Sequence, residues 1–139
     1  MGAEAPTVKP AQSPVPTTRL KQICTDACNS AFHKVEKYEH GRTEGWNNII
    51  ITTILRSLCS ESTPEKASGC PFKFAVNSTI IQHLSSKPST TGSDGAGVGR
   101  RGMHSACGAY WNNEKDGTWS FKYEAKGMDV VISIIWVAL

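Results

Sequence analysis

No stretch of this 139-residue chain has the length and flanks of a membrane span, and Gly2-Ala3-Glu4-Ala5-Pro6 after Met1 lacks the positive start and apolar run of a secretory signal. The expectation is a soluble cytoplasmic chain with no membrane partner. Basic clusters are scarce as well. The 15 Lys and Arg are scattered among 12 Asp and Glu for a net charge of +3, which argues against nucleic acid as a partner. Five cysteines, Cys24, Cys28, Cys59, Cys70 and Cys107, are odd in number and lack the paired spacing of a disulfide framework, so they read as reduced thiols. Cys24 and Cys28 supply half a metal site, and no second Cys/His pair answers them; the plainer reading is small buried apolar residues. No metal and no cofactor is expected. Trp46, Trp111, Trp119 and Trp136 fall on core-facing positions, without the basic surroundings that a base-stacking platform needs.

What is present is a change of hydrophobic period partway along a chain long enough for one domain with a single core. Residues 1–16 hold Pro6, Pro10, Pro14 and Pro16 among Ala, Thr and Ser and read as a disordered tail. A domain over 17–139 follows. Thr17 or Thr18 caps a first helix whose apolar residues, Leu20, Cys24, Ala27, Ala31, Val35 and Tyr38, recur every three or four positions. His40-Gly41-Arg42 is expected to end it, with Gly41 as a left-handed cap, and Thr43 to start a second helix on the face of Trp46, Ile50, Ile54 and Leu58. Ile49, Ile51 and Leu55 widen that stripe and predict burial on more than one side.

After Ser68-Gly69-Cys70-Pro71 the period becomes two. Phe72, Phe74, Val76, Ser78 and Ile80 share one face of a first strand. Residues 84–101 form a polar, low-complexity loop expected to be flexible. A second strand is predicted at 102–111, a third where Trp119, Phe121 and Tyr123 alternate with Ser120, Lys122 and Glu124, and a fourth at the C-terminus. In the last, Val130, Ile132, Ile134 and Trp136 take one face and Val131, Ile135 and Val137 the other, so both faces need cover. Two helices cover one; a second copy about a two-fold axis is the simplest cover for the other, with Trp111, Val131, Ile135 and Val137 as candidate interface residues. The fold class is α+β, two N-terminal helices packed on a four-stranded antiparallel sheet.

The segment 102–111 offers backbone more than side chain. Gly102, Met103, His104, Ser105, Ala106, Cys107, Gly108, Ala109 and Tyr110 are the candidate partner-binding residues, because small side chains let another extended chain approach and bond the main chain. Ser105, Cys107 and Ala109 alternate with His104, Ala106, Gly108 and Tyr110, and the sequence leaves open which set meets a partner.

Taken together, Pro71-Phe72-Lys73-Phe74, Gly102-Met103-His104-Ser105-Ala106, Tyr110-Trp111, Asp116-Gly117 and the Val/Ile-rich last strand, in that order after two helices, resemble the Tctex-type dynein light chains over roughly residues 18–139. The resemblance implies a homodimer in which the second strand is exchanged, and a non-catalytic light chain of cytoplasmic dynein, associated with microtubules. It further implies binding to the dynein intermediate chain, with cargo adaptors as further partners. A light chain of an axonemal, ciliary or non-motor assembly is the alternative, and a small enzyme the remote one. The long loop at 84–101 and the proline-rich tail depart from the usual pattern.

Other chemical readings are weaker. Gly97, Gly99 and Gly102 match the dinucleotide fingerprint by letter, but a polar loop precedes them and an extended segment follows, where pyrophosphate needs a strand and then a helix N-terminus. His104 and Cys107 stand three apart, on opposite faces of a strand, and no oxyanion donors accompany them. Asn77-Ser78-Thr79 is a glycosylation sequon within a predicted strand and reads as unused. Arg100-Arg101 reads as a solvated pair, and no role attaches to His33, His40 or His83.

Overall fold

In the computed structural model, which describes residues 12–83, 104 and 106–139, two helices lie on one face of an antiparallel sheet. Helix α1 spans Thr17–Ala31 and buries Leu20, Ile23, Cys24, Ala27, Cys28 and Ala31 along one stripe. Its cap is Pro16 rather than a threonine hydroxyl; proline sits there in an extended conformation, and its carbonyl accepts the Leu20 N–H at 2.9 Å. A residue with no N–H to lose is well suited to the start of a helix. Val15, within the segment composition assigned to the tail, is only 2% exposed and belongs to the core. Residues 1–11 of that tail and the loop at 84–101 lie outside the described residues.

The first helix stops earlier than its spacing predicts. It ends at Ala31, and Lys34 takes a left-handed φ of 61° that reverses the chain. The reversal turns Phe32 and Val35 into the core and packs Tyr38 against it, so apolar residues keep a helix-like spacing across a segment that is not helical. Phe32 meets the Trp46 ring edge-on at 5.3 Å and stacks on Tyr123 at 6.1 Å, joining both helices to the sheet. Gly41 is not a left-handed cap; it lies within the short 3-10 turn His40–Arg42.

Helix α2, Thr43–Ser62, starts at the expected residue and buries the expected face of Trp46, Ile50, Ile54 and Leu58. Among the described residues the wider stripe is left without full cover: Ile49 is 44% exposed and Ile51 and Leu55 are half-buried. The strands are β1 (Phe72–Gln82), β2 (Gly117–Ala125) and β3 (Met128–Ala138), in the order β1-β3-β2. Strand β3 pairs with both neighbours, so its inward residues form rows with theirs: Val76, Ile134 and Trp119, then Ser78, Ile132 and Phe121, then Ile80, Val130 and Tyr123. Gly127 supplies the left-handed φ of 76° that the β2–β3 turn requires. Asn47 on α2 accepts a hydrogen bond from Ser78 on β1 at 2.8 Å, and Asn29 on α1 accepts one from Tyr123 on β2 at 2.7 Å.

Among the described residues the sheet has three strands, where four were expected. His104 and residues 106–110 of the anticipated second strand are exposed and lie in no strand. An extended segment becomes a strand only where a ladder accepts its N–H and C=O groups. Trp111, expected to face the core, is half-buried in the loop and donates its indole N–H to Asn113 at 3.1 Å.

Because Ile54 is fully buried between helix and sheet, Ile54→Ala should lower unfolding free energy in urea by about 2–5 kcal/mol. Exposed Ile49→Ala should stay within about 0.5 kcal/mol. Equal losses at the two positions would show that the outer side of α2 is buried in solution.

Candidate functional site

Among the described residues the strand order leaves β1 and β2 each with one unpaired edge, and chain pairing at such edges is a general means of partner recognition. The segment at 104–111 reaches β2 through a turn at 112–116. The Asn112 carbonyl accepts the N–H groups of Lys115 at 3.1 Å and Asp116 at 2.8 Å, and its side-chain oxygen accepts that of Glu114 at 2.9 Å. Asp116, 6% exposed, closes the turn by accepting the Asn112 N–H at 2.8 Å through Oδ2. Its other oxygen, Oδ1, accepts the Ala138 N–H at 2.7 Å. Both oxygens of a buried carboxylate are thus satisfied, and the segment is fixed where it leaves the domain, beside the end of β3. Gly117 follows for a steric reason: a Cβ there would lie 2.4 Å from Cζ2 of the buried Trp136 ring.

Of the candidate partner-binding residues, His104, Ala106, Cys107, Gly108, Ala109 and Tyr110 are exposed, whereas Gly102, Met103 and Ser105 lie outside the described residues, as do Gly97, Gly99, Arg100 and Arg101. Small side chains and full exposure leave the main chain open to approach. The ring of Tyr110 stands free at 108% relative exposure.

The sheet face away from the helices brings three of the four candidate interface residues together. Val131, Ile135 and Val137 project there from β3, opposite Thr79, Ala75 and Lys73 of β1, and all three are half-buried by sheet neighbours without helix cover. Ser120 and Ser133 meet across this face at 3.2 Å. Charges gather at one end, where the Asp129 carboxylate lies 2.8 Å from His83 Nε2 and 3.6 Å from Lys122 Nζ. Trp111 lies before the turn, on no strand.

Two features escaped the sequence reading. Asp116-Gly117 reads as a turn by composition, and the reach of the carboxylate to Ala138 depends on a register that only the folded sheet supplies. At the junction of α2 and β1, Ser62 Oγ lies 3.3 Å from the Cys70 sulfur, a contact that no motif spacing announces. Burial of Cys24 and Cys28, by contrast, agrees with their apolar reading and pushes both thiols up to about 12. Among the described residues no three His, Cys, Asp or Glu side chains gather as a metal site, and no helix is long and apolar enough to cross a membrane.

A model of the Tctex-1 family matches residues 14–137. A protein of Schizosaccharomyces pombe named dynein light chain Tctex-type is 31% identical over 127 residues, covering 91% of this chain and 97% of the relative. A Drosophila melanogaster protein of the same name is 26% identical over 102 residues, covering 73% of this chain and 72% of its own length.

Removing the Asp116 carboxylate leaves two backbone donors without their partner. Asp116→Ala should therefore cost about 2–4 kcal/mol, on the scale of charge-assisted hydrogen bonds. Hydrogen exchange should accelerate together at the amides of Asn112 and Ala138. Unchanged protection at Ala138 would disprove the bridge.

Proposed function

The chain belongs to the Tctex-1 family, and from that membership we propose that it is a non-catalytic light chain of cytoplasmic dynein, a homodimer that binds the dynein intermediate chain and cargo adaptors on microtubules. The observation that carries this reading is the exposed small-residue segment at 104 and 106–110, held by Asp116 beside a sheet whose outer edges are unpaired among the described residues. In the dimer, residues 102–111 of each copy lie along the partner's sheet as an exchanged strand. One side of that strand bonds the host sheet, and the other accepts an extended peptide of the intermediate chain. Main-chain hydrogen bonds give affinity and neighbouring side chains give selectivity.

The uncovered sheet face supports the dimer, since Val131, Ile135 and Val137 project from the central strand and lack helix cover. A two-fold dimer presents two equivalent docking edges. A dimeric intermediate chain then gains from effective concentration, so the light chain works as a clamp without chemistry of its own.

Successive residues of a strand direct their N–H groups to alternate sides, so prolines at Ala106 and Ala109 remove donors from opposite edges. One of Ala106→Pro and Ala109→Pro should weaken an intermediate-chain N-terminal peptide by about tenfold or more while light scattering still reports a dimer. Wild-type affinity in both variants would reject this edge. Ile135→Lys, which places a charge at the centre of the open face, should shift the protein to monomer at micromolar concentration; a stable monomer in the wild type would refute the dimer.

A further inference from the structure

The segment that joins α2 to β1 carries a short pattern of its own. Ser13-Pro14 and Thr63-Pro64 are the two places where a proline follows a hydroxyl residue, and at the second Glu65 and Lys66 complete the order Thr-Pro-x-Lys. Protein kinases that select proline directly after the phosphoacceptor do so because proline has no N–H to leave unbonded in their cleft, and many add an anionic contact for a basic side chain at the third position. Ser13 lacks that base, since Pro16 holds the third position, and Val15 between them is 2% exposed in the core.

The fold presents the pattern around Thr63. Helix α2 ends at Ser62, and Thr63 follows in an extended conformation with ψ at 119°, as suits a residue before proline. Pro64, Glu65 and Lys66 are exposed in a loop where the Ala67 N–H bonds the Pro64 carbonyl at 3.0 Å. Both positions that such a kinase reads therefore lie outside the helix, where a cleft can take them without disturbing the core. The acceptor itself is half-buried, and its hydroxyl donates to the Cys59 carbonyl at 2.5 Å, one of the last carbonyls that a helix leaves without an amide partner inside it. Helix ends fray readily, so opening one turn releases that hydroxyl.

The end of α2 is poorly matched to added negative charge. Its last turn contains Glu61 and no basic residue, and a helix C-terminus is already the negative end of the dipole. Arg19 of α1 engages Glu61 at 2.6 Å and fastens the end of one helix to the start of the other. Lys66 is the one cation between Cys59 and Cys70. A phosphate on Thr63 takes the donor away from the Cys59 carbonyl, sets anionic oxygens at the carbonyl end of the helix and adds like charge beside Glu61 and Glu65.

We propose that Thr63 is a phosphoacceptor for a proline-directed protein kinase, and that its phosphate opens the last turn of α2 and loosens the hold of that helix on α1. The Thr63 Oγ1 attacks the γ-phosphorus of ATP; the new O–P bond forms as the bond to the bridging oxygen of ADP breaks, and the hydroxyl proton passes to the catalytic carboxylate of the kinase. The products are phosphothreonine, ADP and a proton. A phosphatase reverses the change by hydrolysis, with water supplying the new oxygen of the released phosphate.

The test incubates the full chain with ATP and a cyclin-dependent kinase, which reads both the proline and the later base, and maps the product by mass spectrometry. Phosphate should appear on Thr63, with Ser13 modified at least about tenfold more slowly. Thr63→Val should abolish the modification and Thr63→Ser should retain it. Lys66→Ala, a change in the exposed loop that leaves the fold intact, should lower the rate by about tenfold. In the phosphorylated chain, hydrogen exchange should quicken several-fold at amides 61–63 and stay unchanged at Ile50 and Ile54, and the melting temperature should fall by a few degrees. Alkaline phosphatase should restore both. The proposal is overturned if Thr63 stays unmodified in the folded chain, if Lys66→Ala is modified at the wild-type rate, or if the phosphate leaves exchange at the end of α2 unchanged.

Discussion

Strand β3 is hydrogen-bonded along both sides and apolar on both faces, and the other elements are arranged around those two facts. Its ladders with β1 and β2 hold the sheet in a register that sets Val76, Ile134 and Trp119, and the rows after them, beneath the helices. Met128, Val130, Ile132 and Ile134 are fully buried on the inner side, and burial of each such side chain stabilises the fold by about 1.5–3 kcal/mol. The helices complete that side. A slip of one residue in β3 would send this set to the open face and bring Val131, Ser133 and Ile135 inward, so register and helix packing specify one another. The same strand creates the opportunity for assembly, because its outer valines and isoleucine have sheet neighbours beside them and no helix over them.

Much of this was legible in the sequence because periodicity reports burial directly. The α2 face of Trp46, Ile50, Ile54 and Leu58, the alternation of β1 and the inward set of β3 were read as they are found. Periodicity failed where a reversal imitated a helix: Phe32, Val35 and Tyr38 keep the right spacing, but Lys34 breaks the helix with a backbone conformation that no residue type there announces. Composition failed at Val15, a single apolar residue among prolines that is seated in the core.

The candidate site was legible in a different way. Small residues at 102–111 signal an approachable main chain, yet whether they form a strand depends on a ladder that a lone chain need not provide, and the described part of the segment lies exposed outside the sheet. Features made by tertiary contact left weaker traces. The Asp116 bridge to Ala138 and the approach of Ser62 to Cys70 both join residues with no meaningful spacing in the sequence.

The Asp116 bridge also has a mechanical side. A single carboxylate grips the amide at the root of the exposed segment and an amide near the end of the central strand. Tension drawn along the segment therefore reaches β3 as well as β2. An edge strand pulled alone peels open one hydrogen bond at a time, whereas two strands that share a load must yield together. A light chain attached to a moving assembly would transmit force through the middle of its sheet, with its most easily unzipped margin spared.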